Sequence, residues 1–471
     1  MRLVSIQFAI FFTAFFTVFW AVHYLMAKNQ KKRLFERCLL LCANLAFCYL
    51  AGIKVVLVLL YCCAITFLGG FVCSRHKNKG ILTIFIALLL APLILLKYLG
   101  FFSSVIGFES PVLFVPLGIS FYTLQSITYL ISVYKDELQS QSIITVSSFV
   151  SFFPLLSSGP IARAKGLIPQ FCSEKEFDYD EASAGMIKIA IGLIKKLVIA
   201  DSLGLFINKV YYSVNDVNRL FLVCGVLLYS FQIYFDFSGY SDIAFGLASL
   251  LGFKVPENFN KPYLSGSIGE FWRNWHISLS SWFRDYIYIP LGGNRVSEIR
   301  QYLNIMVVFL VSGLWHGADW HFVVWGLLHG LVLCLEKLFG SLIPNKITYR
   351  IPRILRIIYT YLIATIAWIF FRADSIHEAG TVLKRIFTGT SFYPDSFILT
   401  GSQCQQFWIG LLFMAVVLVI YILTYRNKES FLVWLRKKPM LIRWLIYVGI
   451  VFIVIFFSAK EAIPNFIYTG F

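Results

Sequence analysis

The sequence has 471 residues, of which 59% are hydrophobic and only 14% are charged, and its formal net charge at pH 7 is +17. About a quarter of the residues in a typical globular domain are charged, so this composition excludes an ordinary soluble protein of this size. The sequence therefore indicates an integral membrane protein with much of its surface in contact with lipid.

Apolar windows near the ~20 residues that a helix needs to cross a bilayer recur along the chain. They predict an all-α, polytopic membrane protein with about eleven transmembrane helices, since a few windows are short or polar. The first window is too long for a secretory signal and is expected to be a retained span. The windows are Leu3–Ala27, Cys38–Gly52, Lys54–Cys73, Ile81–Phe102, Val112–Tyr134, Ala184–Ile207, Leu220–Phe237, Tyr302–Leu314, Phe322–Leu338, Ile354–Phe371, Phe407–Tyr425 and Leu441–Phe457.

Basic residues cluster between these windows, at Lys28–Arg33, Arg75–Lys79 and Arg436–Lys438. Such clusters are typical of cytoplasmic loops, and their spacing predicts that both termini lie outside the cytoplasm. Membrane lipid is the expected surrounding of the chain. A nucleic-acid partner is not expected, because the basic residues form no groove with aromatic residues and match no known reader motif.

Pro and Gly interrupt the apolar windows at Pro116, Gly118, Pro154, Gly159 and Pro160. Such breaks are tolerated at membrane depth only where the backbone is buried in protein or lines a wet cavity. We therefore expect re-entrant helices around a central site.

The polar segment Glu257–Gly330 is the least lipid-like part of the chain, and it holds four of the seven histidines. Its residues at i, i+3, i+4 and i+7 predict an amphipathic helix within Phe271–Pro290, which aromatic residues would anchor at the membrane interface. A histidine in the middle of that aromatic face needs a partner or a ligand. The face consists of Trp272, Trp275, His276, Leu279, Trp282 and Phe283.

His316 is the strongest candidate for a functional residue. It follows an apolar window and lies between Gly313 and Gly317, where a helix can break and backbones can approach closely. An ionisable residue at such a break is a functional hypothesis by default, although a structural histidine is the alternative. We expect Trp315 and Trp320 to form walls of the site.

Three further polar residues are candidates for a supporting role. His276 is the second histidine of the expected site. The sequence leaves open whether Asp319, His276 or His329 would orient His316 or stabilise developing charge. His321, Trp325 and His329 share one helix face, because they are spaced four residues apart.

A metal site is not expected. Catalytic zinc typically needs three protein ligands at fixed spacing, the HExxH motif does not occur, and the ten cysteines show no zinc spacing. Asp236 and Asp242 leave a carboxylate ion site as a weaker alternative.

Several of these segments together resemble the membrane-bound O-acyltransferase (MBOAT) family, in particular its bacterial branch of AlgI-like and PatA-like O-acetyltransferases. WHISLSSWFRDYIYIPLGGNR followed by WHGA is the most specific match. The other matching segments are Pro116–Tyr134, Ser151–Arg163, Tyr234–Gly246, Glu257–Arg295, Ser312–Gly330 and the tail Ile463–Phe471.

The resemblance implies transfer of an acyl group to a hydroxyl, with His316 at the position of the family's catalytic histidine and His276 at that of the second motif histidine. It further implies a ring of spans around a thin centre with a funnel between the two faces. The implied donor is acetyl-CoA from the cytoplasm, with no bound cofactor. The implied acceptor is a glycan polymer, commonly reached through a separate periplasmic or secreted SGNH-type acetyltransferase partner outside the bacterial inner membrane.

The sequence shows no repeat, low-complexity tract or long linker, which predicts one MBOAT-type membrane domain over residues 1–471. We expect N-terminal transmembrane helices over 1–110, a catalytic core over 111–340 and C-terminal transmembrane helices over 341–471. Arg284, Arg295 and Lys261 are candidates for binding CoA phosphates, although snorkelling side chains would look the same in sequence.

Two other functions stay open from the residues alone. A transporter or flippase would also have broken helices and buried histidines along a substrate path. A D-alanyl transferase of the same family, acting on teichoic acid, would share the signature.

Overall fold

The computed structural model describes residues 3–29, 31–108, 114–342, 351–388, 399–427, 434–435, 438–458 and 467. Every regular element within these ranges is helical and none is a strand, which confirms the prediction of an all-α protein. Most of the Arg436–Lys438 cluster and all of the tail except Ile467 lie outside the described residues.

Eight helices among the described residues are long and apolar enough to cross a membrane, and each coincides with a predicted window. They are Ile6–Leu25, Ile53–Arg75, Lys79–Ile106, Arg219–Leu250, Trp320–Gly340, Arg353–Arg372, Gly401–Leu423 and Met440–Phe457. These helices make the protein a multi-pass membrane protein.

The other four predicted windows are also helical but are shorter, more polar or interrupted. Cys38–Gly52 falls on a helix with several charged residues, and Tyr302–Leu314 falls on one that begins with Glu298. Val112–Tyr134, whose first two residues lie outside the described ranges, contains a helix of only 16 residues. In Ala184–Ile207 a π-helical turn interrupts the helix.

The chain forms two compact units, of which the first comprises Met1–Ile189 and Tyr240–Pro256. Among the described residues, ten helices begin in this unit, and the last of them continues into the second unit. They are α1 (Ile6–Leu25), α2 (Lys32–Tyr49), α3 (Ile53–Arg75), α4 (Lys79–Leu93), α5 (Leu99–Ile106), α6 (Ile119–Tyr134), α7 (Ile143–Val150), α8 (Phe153–Leu156), α9 (Ala164–Cys172) and α10 (Tyr179–Leu193).

Short helices occur in this unit where Pro and Gly predicted breaks. Residues 145–162, which include α8, are buried without interruption. Gly118 has a φ of +76°, and a Cβ at this position would collide with the carbonyl of Leu156. The irregular backbone is therefore enclosed by protein, as membrane depth requires.

The second unit comprises Ala190–Gly239 and Glu257–Phe471. Its helices include two short ones that replace the predicted helix within Phe271–Pro290. The helices of this part of the chain are α11 (Asp201–Tyr212), α12 (Arg219–Leu250, which extends into the first unit), α13 (Ile268–Asn274), α14 (Ile277–Phe283), α15 (Glu298–His316), α16 (Trp320–Leu342), α17 (Arg353–Arg372), α18 (Ile376–Thr388), α19 (Gly401–Asn427) and α20 (Met440–Phe457).

Helices α15 and α16 form a tight antiparallel pair, and glycines set their separation. A Cβ at Gly313 would collide with the carbonyl of Phe322, and a Cβ at Gly326 would collide with the carbonyl of Phe309. The two backbones are therefore in direct contact near the end of α15. This contact fixes the position of His316, the last residue of α15.

A buried ion pair network lies in the same unit, where Lys196 is carried by the π-helical turn Ile194–Ala200. The Nζ of Lys196 lies 2.7 Å from a carboxylate oxygen of Asp201 and 2.7 Å from one of Asp236, with all three side chains at most 3% exposed. The Oδ2 of Asp236 also accepts the backbone N–H of Ile467 at 2.9 Å. Asp236 is thus neutralised by a lysine.

We predict that Gly326→Ala destabilises the protein by about 1–3 kcal/mol, because the added methyl group overpacks a backbone contact. Gly340→Ala is the matched control on α16, since a Cβ there meets nothing within 4 Å and Ala stabilises a helix by about 0.5–1 kcal/mol relative to Gly. The measurement is the thermal midpoint of the purified protein in detergent. Equal midpoints for the two variants would contradict the proposed contact.

We predict that Lys196→Met destabilises the protein by about 3–5 kcal/mol, because it leaves buried carboxylates without their counter-charge. The double variant Lys196→Met, Asp236→Asn should recover part of this loss. Arg33→Met is the control, since Arg33 and Glu174 form a pair that is more than half exposed on both sides and such pairs contribute about 0–1 kcal/mol. Thermal midpoints that fall equally for Lys196→Met and Arg33→Met would count against the network.

Candidate active site around His316

The predicted single helix within Phe271–Pro290 is wrong, because the backbone breaks between α13 and α14 at His276. His276 has φ of 43° and ψ of 53°, in the left-handed region that a residue with a Cβ rarely adopts. Asn258 holds this break: its carbonyl accepts the N–H of Ile277 at 3.0 Å, and its side chain accepts the hydroxyl of Ser278 at 2.6 Å. These bonds divert the backbone from one continuous helix.

His276 is fully buried among aromatic rings, and the Trp residues around it are buried rather than interfacial. The centroid of its ring lies 4.6 Å from that of Phe237 and 6.1 Å from that of Trp315. Burial lowers the pKa of His276 well below its ordinary value, because the charged form would lose its hydration. The imidazole is therefore neutral at pH 7.

His316 lies at the end of α15, where it is 1% exposed. Three aromatic rings surround its imidazole: those of Trp325, Trp315 and Phe371, with ring centroids 4.8, 4.9 and 5.4 Å away. Such an environment excludes bulk water from the imidazole.

His329 lies one turn after Trp325 on α16 and is equally buried. Its Nδ1 accepts a hydrogen bond from the indole Nε1–H of Trp272 at 3.3 Å. The ring of Trp325 lies 5.2 Å from His329 and 4.8 Å from His316, so one indole contacts both histidines. The structure thus brings His276, His316 and His329 together around Trp315 and Trp325.

Asp319 and Trp320 occupy less central positions. Asp319 accepts the backbone N–H of His321 at 3.3 Å, and one of its carboxylate oxygens lies 3.8 Å from the Nε2 of His321. Trp320 is 51% exposed, so the second indole at His316 is Trp325 rather than Trp320. His321 itself bonds through Nδ1 to the carbonyl of Phe370 at 2.8 Å.

Trp325 was predicted to share a helix face with two histidines but not to belong to the site, and Trp368 and Phe371 were not predicted to belong to it. The ring of Trp368 lies 5.7 Å from Trp325 and 5.2 Å from Phe371, so these rings enclose the same cluster. Both residues come from α17, and no local pattern in the sequence links them to His316.

An apolar cleft of about 580 Å³ lies along α15 and α16 and is bounded by α13 and α14. Arg273, Arg284 and Lys337 line it together with Glu336, whose carboxylate accepts the backbone N–H groups of Ile268 and Gly269. Ser312 also lines the cleft and precedes His316 by one helical turn, about 6 Å along the axis. The apolar lining includes Trp272, Leu279, Phe283, Ile305, Val308 and Phe309.

Of the three predicted donor-binding residues, only Arg284 lines this cleft. Arg295 is exposed after α14, and Lys261 has a left-handed backbone with a φ of 48°. Partial burial lowers the pKa of Lys261. Arg273 and Lys337 also line the cleft. They were not predicted, because their spacing in the sequence does not distinguish them from other basic residues.

A second, more polar cavity of about 380 Å³ lies near the turn between α15 and α16. Its polar lining includes Asn208, Gln232, His321, Arg372 and Asp374, and its apolar lining includes Phe371, whose ring contacts His316. The cleft lies along the part of the α15–α16 pair remote from this turn. The two cavities therefore border different parts of the α15–α16 pair, the cleft up to Ser312 and the polar cavity from His321.

The carboxylates of the Tyr234–Gly246 segment are engaged in ion pairs. Asp236 pairs with Lys196, as described above, and Asp242 pairs with Lys188 at 3.1 Å. Within the part of the chain that the structure describes, no group of three or more His, Cys, Asp or Glu side chains is arranged to hold a metal ion.

Known proteins similar to this chain include glycan-modifying enzymes. It is 39% identical over 310 residues to the probable alginate O-acetylase AlgI of Azotobacter vinelandii, which covers 65% of this chain and 60% of that protein. It is 40% identical over 304 residues to the peptidoglycan O-acetyltransferase of Helicobacter pylori, which covers 59% and 58% respectively. It is 30% identical over 335 residues to the teichoic acid D-alanyltransferase of Bacillus subtilis, over 66% of this chain and 83% of that protein.

The matches to the alginate O-acetylase and to the peptidoglycan O-acetyltransferase are partial, since the aligned region spans about three fifths of the length of each of these proteins. The match to the family as a whole is broader. The family model of the membrane-bound O-acyltransferases covers residues 6–374. This range includes His276, His316 and His329, and it includes the described lining of both cavities except Ile467. This chain belongs to the membrane-bound O-acyltransferase family.

Proposed function

We propose that the protein is an acyltransferase that moves an acetyl group from acetyl-CoA to a hydroxyl for O-acetylation of a cell-surface or periplasmic glycan, with His316 as the general base. The observation that carries this proposal is the position of His316, an imidazole enclosed by aromatic rings. The apolar cleft extends to Ser312, one helical turn before His316, and the polar cavity is lined by Phe371, whose ring contacts His316. A donor and an acceptor that arrive from different directions require such an arrangement.

The reaction proceeds by attack of the hydroxyl oxygen on the thioester carbonyl carbon while His316 accepts the hydroxyl proton. The new C–O bond forms, the carbonyl oxygen becomes an oxyanion, and the C–S bond then breaks. The proton on His316 passes to the departing thiolate, which leaves as a neutral thiol. General-base help of this kind contributes about 10²–10⁴-fold to the rate.

The aromatic rings around His316 serve the chemistry by excluding water. Water would compete with the hydroxyl for the thioester and would hydrolyse it. It would also weaken every electrostatic interaction in the site.

The apolar cleft is the proposed donor site. Its three cations, Arg273, Arg284 and Lys337, match the phosphates of CoA, since guanidinium groups bind phosphate through two parallel hydrogen bonds. Glu336 lies beside these cations, and its carboxylate accepts two backbone N–H groups. The apolar lining between these cations and Ser312 suits the pantetheine arm and the thioester.

The polar cavity near the turn is the proposed acceptor side. The named relatives act on alginate, peptidoglycan and teichoic acid, and the identity to the O-acetylases is higher than that to the D-alanyltransferase. We therefore favour acetyl transfer over D-alanyl transfer. Family membership favours an enzyme over a transporter or flippase.

The proposed location is the bacterial cytoplasmic membrane, with both termini outside and the donor cleft open to the cytoplasm. Donor and polymer would then lie on opposite sides of the bilayer. A periplasmic or secreted SGNH-type acetyltransferase is the proposed partner that completes transfer to the polymer.

We predict that His316→Ala lowers glycan O-acetylation by at least about 100-fold, because no other group would accept the hydroxyl proton. The measurement is mass spectrometry of cell-wall and secreted glycans from cells that make the wild type, the variant or neither. His377→Ala is the control, since His377 is an exposed histidine of α18. Persistent O-acetylation with His316→Ala present in membranes would exclude the proposed reaction.

We predict that Arg284→Gln raises the KM for acetyl-CoA by about tenfold and leaves kcat nearly unchanged, since a hydrogen bond to a charged group is worth about 1.5–3 kcal/mol. Arg295→Gln is the matched control outside the cleft, and its KM should stay at the wild-type value. The measurement is thiol release from acetyl-CoA in membranes that contain the protein. A larger effect for Arg295→Gln than for Arg284→Gln would place the donor elsewhere.

A further inference from the structure

Two buried nitrogen atoms close to His316 have no hydrogen-bond partner among the described residues: the Nε2 of His329 and the Nε1 of Trp325. Both residues are at most 1% exposed. Buried polar groups in native proteins are nearly always hydrogen-bonded, and each exception requires an explanation such as a role in catalysis. Neither atom takes part in the proton transfer at His316.

The tautomer of His329 follows from its neighbour. Trp272 bonds to the Nδ1 of His329 at 3.3 Å, and an indole N–H is a donor only. The Nδ1 of His329 therefore accepts, and a neutral imidazole that accepts at Nδ1 carries its proton at Nε2. The unpartnered atom of His329 is thus an N–H donor, as is the indole nitrogen of Trp325.

These two donors lie on one face of α16, one helical turn apart. The ring of Trp325 contacts His316 at 4.8 Å and His329 at 5.2 Å. Trp272, which fixes the tautomer of His329, also lines the cleft proposed for the donor. The ring of Trp325 thus lies between those of His316 and His329, and His329 in turn bonds to a residue that borders the proposed donor cleft.

We propose that the Nε2–H of His329 and the Nε1–H of Trp325 form the oxyanion site of this enzyme. They donate to the carbonyl oxygen of the thioester and hold the negative charge that develops on that oxygen when the hydroxyl attacks. The inference rests on the proposed acyl transfer and assigns to His329 a role separate from proton transfer. Such preformed donors in a water-excluded site bind the transition state more tightly than the substrate.

The role of Trp272 follows from the same geometry. Its indole N–H keeps the proton of His329 on Nε2, where it faces the carbonyl oxygen, and away from Nδ1. Trp272 is a positioning residue, because it acts through His329.

The test compares four variants of the full chain in membranes: His329→Phe, His329→Gln, His329→Asn and Trp272→Phe. The probes are labelled acetyl-CoA as donor, with de-O-acetylated peptidoglycan fragments or mannuronate oligomers as acceptors. The readouts are kcat, KM for acetyl-CoA, the pH profile and the thermal midpoint.

We expect His329→Phe to lower kcat by about 10²–10³-fold, the loss typical of one oxyanion donor, with KM changed by less than about threefold. His329→Gln should be at least about tenfold faster than His329→Asn, because the amide N–H of Gln reaches the position of Nε2 and that of Asn reaches only Nδ1. Trp272→Phe should lower kcat by several-fold. The acid limb of the pH profile should not move in any variant, because the assignment gives His329 no part in proton transfer.

Three outcomes overturn the assignment: a wild-type kcat in His329→Phe, equal rates for His329→Gln and His329→Asn, or a shifted acid limb, which would make His329 a proton acceptor. The Gln and Asn variants decide the question even where His329→Phe does not fold. Failure of the proposed function itself looks different, because the wild type would then transfer no acetyl group or would do so without His316.

Discussion

The contact between the backbones of α15 and α16 is the constraint on which the site depends. Gly313 and Gly326 leave no room for a Cβ, so the two helices meet at the end of α15 and hold His316 against Trp325. A pair of helices separated by ordinary side chains would place this imidazole several ångströms farther from the indole than the two rings are in this structure. In a membrane, where lipid gives helices no hydrophobic reason to associate, small residues at the interface provide the close packing that holds such a pair together.

Two lysines of the α10–α12 region have their charges compensated within the protein. Lys196 lies between two carboxylates, and Lys188 pairs with Asp242. The histidines at the site are buried among aromatic rings. Such surroundings suit the proposed general base, because they keep bulk water away from it.

The helical class and eight of the spans were predictable because apolar length is a local property of the sequence. The end of a helix at His316 was predictable because glycines lie close to it on both sides. The break at His276 was not predictable. It depends on hydrogen bonds that Asn258, which lies 18 residues earlier, accepts from Ile277 and Ser278. Likewise Phe371 contacts His316, and Trp368 contacts Trp325, only through the packing of α17. Arg273 and Lys337 differ from other basic residues only in lining the cleft. Tertiary contacts of this kind leave no periodic signal.

The proposed reaction makes two demands on the protein within the membrane. The acetyl group has to pass through a layer of protein, and that layer has to stop water and protons. A rigid aromatic layer meets both demands, because rings exclude water and yet leave a planar thioester room to lie among them. Trp315 and Trp325 contact His316. The apolar cleft extends to Ser312, one turn before His316, and Phe371 of the polar cavity contacts His316. In the proposed reaction the charge of the transition state develops within this aromatic layer, where preformed donors stabilise it more than hydrated groups at the rims of the cavities would.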